Sequence, residues 1–158
     1  MKIKNILLFS FMMLFAFSSC MKKDNFDPEQ QAIQDEAAIV KFLTDNNIAA
    51  VRHSSGVYYT IIEPGSGNIV YTANTTVTAN YTGRFLSGTV FDKNTTQPIS
   101  FKLGGVIVGW QIGIPLIQKG GKIKLFIPSG YGYGRNGSDP IPGNAVLDFD
   151  IELVDVQN

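Results

Sequence analysis

The 158-residue chain has one cysteine, Cys20, and one histidine, His53. A disulfide within the chain is therefore excluded. One of each is too few for a His/Cys metal site, and Cys20 belongs to the N-terminal motif described below, which leaves no Cys/His nucleophile pair. His53 sits between patterned segments and reads as a solvated linker residue. A Ser-His-Asp triad would need it, and Ser54 and Ser55 beside it have no nucleophile-elbow context. An excess of charge of one sign is also missing. Lys plus Arg total 13, as do Asp plus Glu, so nothing favours nucleic acid or another polyanion as partner. The glycine-rich run Gly130-Tyr131-Gly132-Tyr133-Gly134 lacks the spacing of a phosphate loop, and no helical pattern comes after it. The residues thus point to no cofactor and no metal. There is no internal repeat and no low-complexity segment.

Long apolar runs are absent except at the start. Lys2 and Lys4 precede an almost wholly apolar stretch over residues 6–17, followed by Ser18, Ser19 and Cys20. This is the pattern of a secretory signal peptide, and it is short for a spanning helix, which needs about 20 residues. Small residues directly before a cysteine resemble the lipobox of bacterial lipoproteins, with Phe17 where leucine is usual. The resemblance implies a signal peptide over residues 1–19, lipidation of Cys20 and a lipidated tether over residues 20–27. It places the chain in a bacterial cell envelope, lipid-anchored to membrane on the periplasmic side or at the cell surface.

From Asp27 onward the chain is patterned. Asp27 reads as an N-cap, Pro28 as the first helical residue and Gln30 as the capping-box partner. Ile33, Ala37, Val40 and Leu43, with Phe42 beside them, give an apolar stripe at helical spacing. Asp45-Asn46-Asn47 ends the helix. Residues 28–54 are therefore an N-terminal helical segment and linker, with the helix packed on its own domain as a spacer from the membrane, or serving for docking or dimerisation. Beyond it, strands are predicted over 56–63, 75–85, 89–92, 99–103, 122–128 and 145–154, separated by Gly- and Pro-rich turns. In the last of these, Leu147, Phe149, Ile151 and Leu153 alternate with Asp148, Asp150 and Glu152, as in a strand with one buried and one wet face. One or two helical turns are expected over 112–117. The fold class is α+β.

Ten residues from six segments remain as candidates for a core or a pocket: Tyr81, Phe91, Asp92, Phe101, Val106, Ile107, Trp110, Tyr133, Ile141 and Phe149. Composition alone cannot divide them. Their motifs, however, run in a particular order: Asn80-Tyr81-Thr82-Gly83, Phe91-Asp92, Val106-Ile107-Val108-Gly109-Trp110, Gly130 to Gly134, Ile141-Pro142, and the strand from Leu147 to Leu153. Order and spacing resemble FKBP-type peptidyl-prolyl isomerases across residues 55–158. The resemblance implies a twisted antiparallel sheet wrapped around a short helix. It implies Trp110 at the pocket floor, Tyr81, Phe91 and Phe149 as aromatic walls, and Val106 and Ile107 as the aliphatic wall. The Ile107 N–H would meet a substrate carbonyl, Tyr133 would donate its hydroxyl, and Asp92 would stand beside the twisting bond. Ile141 would overhang the pocket. Phe101, on its residue type and strand setting alone, is expected in the core. Ile99 stands at the rim where an aromatic is frequent, and Gly143 where a second proline is usual. The implied partners are proline-containing polypeptide segments, with macrolides as a candidate ligand class. A non-catalytic proline-binding chaperone and a carbohydrate-binding lipoprotein are the competing readings.

Overall fold

The structure is a computed structural model that describes residues 26–158. The signal peptide, Cys20 and the tether up to residue 25 lie outside the described residues. The first element is α1, Pro28–Asp45. Asp27 caps it as expected: its Oδ1 accepts the N–H groups of Glu29 at 2.9 Å and Gln30 at 3.2 Å. Among the described residues Gln30 returns no side-chain bond to Asp27, so the box is one-sided. At the far end Asn47 takes a left-handed φ of 53°. The Ile48 N–H then reaches Leu43 O at 2.9 Å and the Asn47 N–H reaches Thr44 O at 3.2 Å. That pair of bonds is a Schellman motif, with asparagine in the place glycine usually holds.

Six strands form one antiparallel sheet in the order β1-β2-β5-β6-β3-β4. They are β1 Val51–Arg52, β2 Tyr58–Glu63, β3 Thr76–Phe85, β4 Val90–Lys102, β5 Lys122–Ile127 and β6 Leu147–Gln157. The segment read as a linker therefore contributes β1. His53 closes the β1–β2 turn and is half-buried, its Nδ1 bonded to the Ser55 hydroxyl at 2.9 Å.

The two short strands predicted on either side of Pro98 are one strand, β4. Ala79 pairs with Ile99 and Tyr81 with Asn94, so residues 95–98 bulge opposite a single residue, Asn80. Because β4 is an edge strand, Pro98 breaks no ladder there. The expected helical turns also begin earlier. The helix α2 covers Val108–Gly113, and Ile114–Leu116 continue it as a 3-10 turn.

Alternation along β6 buries Leu147, Phe149, Ile151 and Leu153 on the face that carries α2, against Trp110, Ile114, Ile123 and Leu125. The other face is not simply wet. There α1 lays Ile39 and Leu43 on Tyr58 and Phe126, and burial of each such side chain stabilises by about 1.5–3 kcal/mol. The stripe on α1 is thus centred on Asp35, Ile39 and Leu43, with half-buried Phe42 beside them, whereas Ile33, Ala37 and Val40 are exposed. Beside α1 the charged residues of β6 are paired across strands. Lys124 lies 2.8 Å from Asp148 and 2.9 Å from Asp150, Arg84 pairs with Asp150, and Lys122 is 3.9 Å from Glu152.

α2 lies close on β5 because two glycines face it. A Cβ at Gly109 would sit 2.4 Å from Ile127 Cγ2, and one at Gly113 would sit 2.5 Å from Leu125 Cδ1. The contact holds the helix, and Trp110 on it, against the sheet.

Candidate active site

Between α2, β3, β4 and the loop after β5 lies a cavity of about 290 Å³. Tyr81 comes from β3, Phe91, Asp92 and Phe101 from β4, and Phe149 from β6. Gly105, Val106 and Ile107 come from the approach to α2, Trp110 from α2, and Tyr133 from the loop. Of the residues expected from the sequence, Tyr81, Phe91, Asp92, Val106, Ile107, Trp110, Tyr133 and Phe149 all line it. Two do not. Ile141 is 7% exposed and packs into the core, because the turn from Ser138 to Ile141 closes on itself through two backbone bonds. Ile99 is exposed on the edge strand, beyond the bulge.

Trp110 is the centre. Tyr81, Phe101 and Phe149 stand edge-on to its ring, with centroids 5.3, 5.8 and 5.4 Å away and planes at 81°, 81° and 84°. Phe91 meets Phe149 in the same way at 5.6 Å and 86°. Edge-to-face contacts set the positive ring edge on the negative ring face, and each pair adds about 0.5–1.5 kcal/mol beyond area burial. Phe101, expected in the core, is therefore part of the wall. Gly83 is a second residue whose role the sequence patterns do not single out. A Cβ there would lie 2.6 Å from the Phe91 ring and 2.7 Å from the Phe149 ring. A glycine inside a strand is the signal for such a close approach.

Polar groups are few. Tyr81 Oη donates to Asp92 Oδ2 at 2.7 Å. Burial, and then this bond to a carboxylate, push the Tyr81 hydroxyl well above the usual tyrosine range. Burial and the Asp92 charge also raise Tyr133. Both hydroxyls thus stay protonated donors at any physiological pH. The Tyr133 hydroxyl has no hydrogen-bond partner among the described residues, and neither has the Ile107 N–H, which precedes the first turn of α2. Trp110 Nε1 is buried and has no hydrogen-bond partner among the described residues. The arrangement is an apolar, ring-walled cup with two unengaged donors at its lip. It can desolvate a compact apolar group and hold a carbonyl beside it. Among the described residues no cluster of His, Cys, Asp or Glu could hold a metal ion.

The loop around the cup is drawn tight by glycines. The backbone of Gly143 presses on the Arg135 carbonyl, where a Cβ would come within 2.0 Å of the oxygen. The departure from proline at this position is thus a packing requirement of this loop.

Comparison with known proteins places this geometry. Residues 67–154 match the family described as FKBP-type peptidyl-prolyl cis-trans isomerase. FkpA of Buchnera aphidicola subsp. Schizaphis graminum is 41% identical over 132 residues, covering 82% of this chain and 52% of that protein. FkpA of Escherichia coli K12 is 40% identical over 139 residues, covering 87% of this chain and 49% of that protein. The chain spans about half the length of these curated relatives. The crystal structure of E. coli FkpA matches with a TM-score of 0.71 at 39% identity, over 82% of this chain and 62% of that one. A peptidyl-prolyl cis-trans isomerase from Pseudomonas syringae pv. tomato matches with a TM-score of 0.68 at 32% identity, over 84% of this chain and 98% of that one. With its sheet, its helix and its cup of aromatic rings, this chain belongs to the FKBP-type peptidyl-prolyl cis-trans isomerase family.

Proposed function

We propose that the cup catalyses cis–trans rotation of X–Pro bonds in exported polypeptides, and that the chain works as a lipid-anchored protein of the bacterial envelope. The observation that carries the first part is the cavity itself: apolar rings around Trp110, with the Tyr133 hydroxyl and the Ile107 N–H unengaged beside it among the described residues. Rotation about a peptide bond meets a barrier of about 18–20 kcal/mol because twisting removes amide resonance. The planar amide is the more polar form. An apolar cup therefore disfavours the ground state more than the twisted state, which is the difference in binding that catalysis needs. The two donors hold the carbonyls of the segment, and the Asp92 carboxylate sets the field at the rotating bond. No nucleophile or redox group enters such a reaction. Uncatalysed rotation takes tens to hundreds of seconds, long enough to limit folding.

The purified protein is expected to accelerate isomerisation of a proline tetrapeptide in a protease-coupled assay. Binding of the peptide without acceleration would favour the non-catalytic chaperone reading instead. A sugar-stacking platform needs an open ring, whereas Trp110 is 4% exposed. Macrolides are proposed as competitors for the same cup.

Support for the anchor comes from the sequence around Cys20. Cys20→Ser is expected to release the protein from the membrane fraction or to stall its processing, since several acyl chains anchor stably where one does not. A variant as firmly bound as the wild type would refute lipid anchoring.

A further inference from the structure

The loop that brings Tyr133 to the cup is fastened from outside the domain, by α1. Asp35 lies in the middle of that helix and is 3% exposed. Its Oδ2 accepts the Ser129 N–H at 2.7 Å and the Ser129 hydroxyl at 2.6 Å, and its Oδ1 accepts Gln31 Nε2 at 2.8 Å. Ser129 is itself 1% exposed and is the root of the loop. Its carbonyl accepts the N–H of Gly132 at 3.0 Å and of Gly134 at 2.8 Å, the two residues that flank Tyr133. The same N-terminal segment touches the loop again further along, where the Phe26 ring lies 5.1 Å from the Arg135 guanidinium.

A carboxylate sealed from water is costly unless donors surround it. A helix that only covered the sheet would be better served at position 35 by an apolar side chain, as at Ile39 and Leu43. Here two of the three donors belong to one loop residue, and charge-assisted bonds of this length are the strong ones. We propose that Asp35 is a positioning residue: through Ser129 it fixes the path of the loop and with it the place of the Tyr133 hydroxyl. The N-terminal helix is then a working part of the pocket, not a spacer. The inference rests on reading the cup as the isomerase site.

The test compares Asp35→Ala and Asp35→Asn in the full chain. Asparagine keeps an oxygen for both Ser129 donors, while Gln31 can turn its own amide to match. Two readouts are taken: backbone hydrogen exchange, residue by residue, and kcat and KM on a proline peptide. With Asp35→Ala the Gly132 and Gly134 amides should exchange about tenfold faster, relative to the β6 amides of Ile151 and Leu153 in the same sample. KM should rise several-fold with less change in kcat. Asp35→Asn should restore both. Should Asp35→Ala fail to fold, Ser129→Ala removes only the hydroxyl bond and should move both readouts the same way by less. The proposal is overturned if loop exchange rises only in step with β6, or if KM and loop exchange are unmoved. A wild-type chain without isomerase activity would defeat the proposed function, and the exchange comparison would still decide whether Asp35 holds the loop.

Discussion

Asp92 is where structure and catalysis can be pulled apart. It receives the Tyr81 hydroxyl at 2.7 Å on the exposed edge of the cup. Asp92→Asn keeps the shape and an acceptor oxygen but removes the charge. A bond to a charged group exceeds a neutral one by about 1 kcal/mol, and exposure keeps the difference at the low end. If the charge also favours the rotating amide, the loss falls on kcat/KM. About 1 kcal/mol corresponds to roughly a fivefold drop. The discriminating measurement is a double-mutant cycle with Tyr81→Phe, using isomerisation rates and melting curves for all four proteins. Were Asp92 only a tether for Tyr81, the Tyr81→Phe background would erase the effect of Asp92→Asn. We expect the several-fold loss to persist there, with the melting temperature slightly lowered where the Tyr81 hydroxyl is present and unchanged in the Tyr81→Phe background. Asp92→Leu should lose more, because the partly buried Tyr81 hydroxyl then has no acceptor. Full turnover in Asp92→Asn, or disappearance of its effect in the Tyr81→Phe background, would refute a catalytic role for the charge. The rings, Tyr133 and the Ile107 N–H would then have to suffice.

Tyr133→Phe should lower kcat/KM by a few-fold to about tenfold with no change in melting temperature, because the hydroxyl bonds nothing among the described residues and a net bond to substrate is worth about 0.5–1.5 kcal/mol; an unchanged rate would show that the ring merely closes the cup. Gly109→Ala drives a methyl into Ile127 and should cost about 1–3 kcal/mol in thermal unfolding. Gly130→Ala, with open space around it, should cost far less, and equal costs would contradict the close seating of α2. Tyr71, whose hydroxyl donates to Ile117 O at 2.7 Å, is pushed up to about 12 by burial. The unfolded chain releases that proton near pH 10, so the stability Tyr71 contributes is complete below pH 10 and is lost as pH rises towards 12. Chemical denaturation at pH 9 and pH 11.5 should show a steeper loss for the wild type than for Tyr71→Phe, and parallel losses would rule out Tyr71 as the source.

Alternation makes the sheet legible. The period of two in Leu147, Phe149, Ile151 and Leu153 needs no partner to be read, and the structure buries all four. The cup is legible in another way, through motif order, because Tyr81, Phe91, Trp110, Tyr133 and Phe149 are far apart in sequence and nothing local says that their rings meet. Other features depend on distant partners. Phe101 looks like any inward strand residue until Trp110 is placed beside it. The packed face of α1 is hidden from a sequence pattern because Asp35 is charged. A helical stripe drawn through apolar residues alone runs along Ile33, Ala37 and Val40, and only the distant Ser129 makes position 35 an inward one. Pro98 reads as a break between strands, whereas it lies in a bulge that an edge strand tolerates.

That bulge bears on how the sheet would meet an unfolded chain under the proposed function. A protein that grips extended segments exposes itself to a hazard: a client can add itself as a further strand wherever a sheet ends in a straight row of free N–H and C=O groups. Here one border of the sheet is β1, only two residues long. The other is β4, whose hydrogen-bonding rhythm is interrupted at residues 95–98 and which carries a proline there. Neither border offers a long unbroken template: β1 covers only Tyr58 and Tyr59 of β2, and the bulge divides β4 into residues 90–94 and 99–102. Pairing along a full strand is thus discouraged at both ends of the sheet, and under the proposed function a client is engaged side chain first, by setting a proline among the rings.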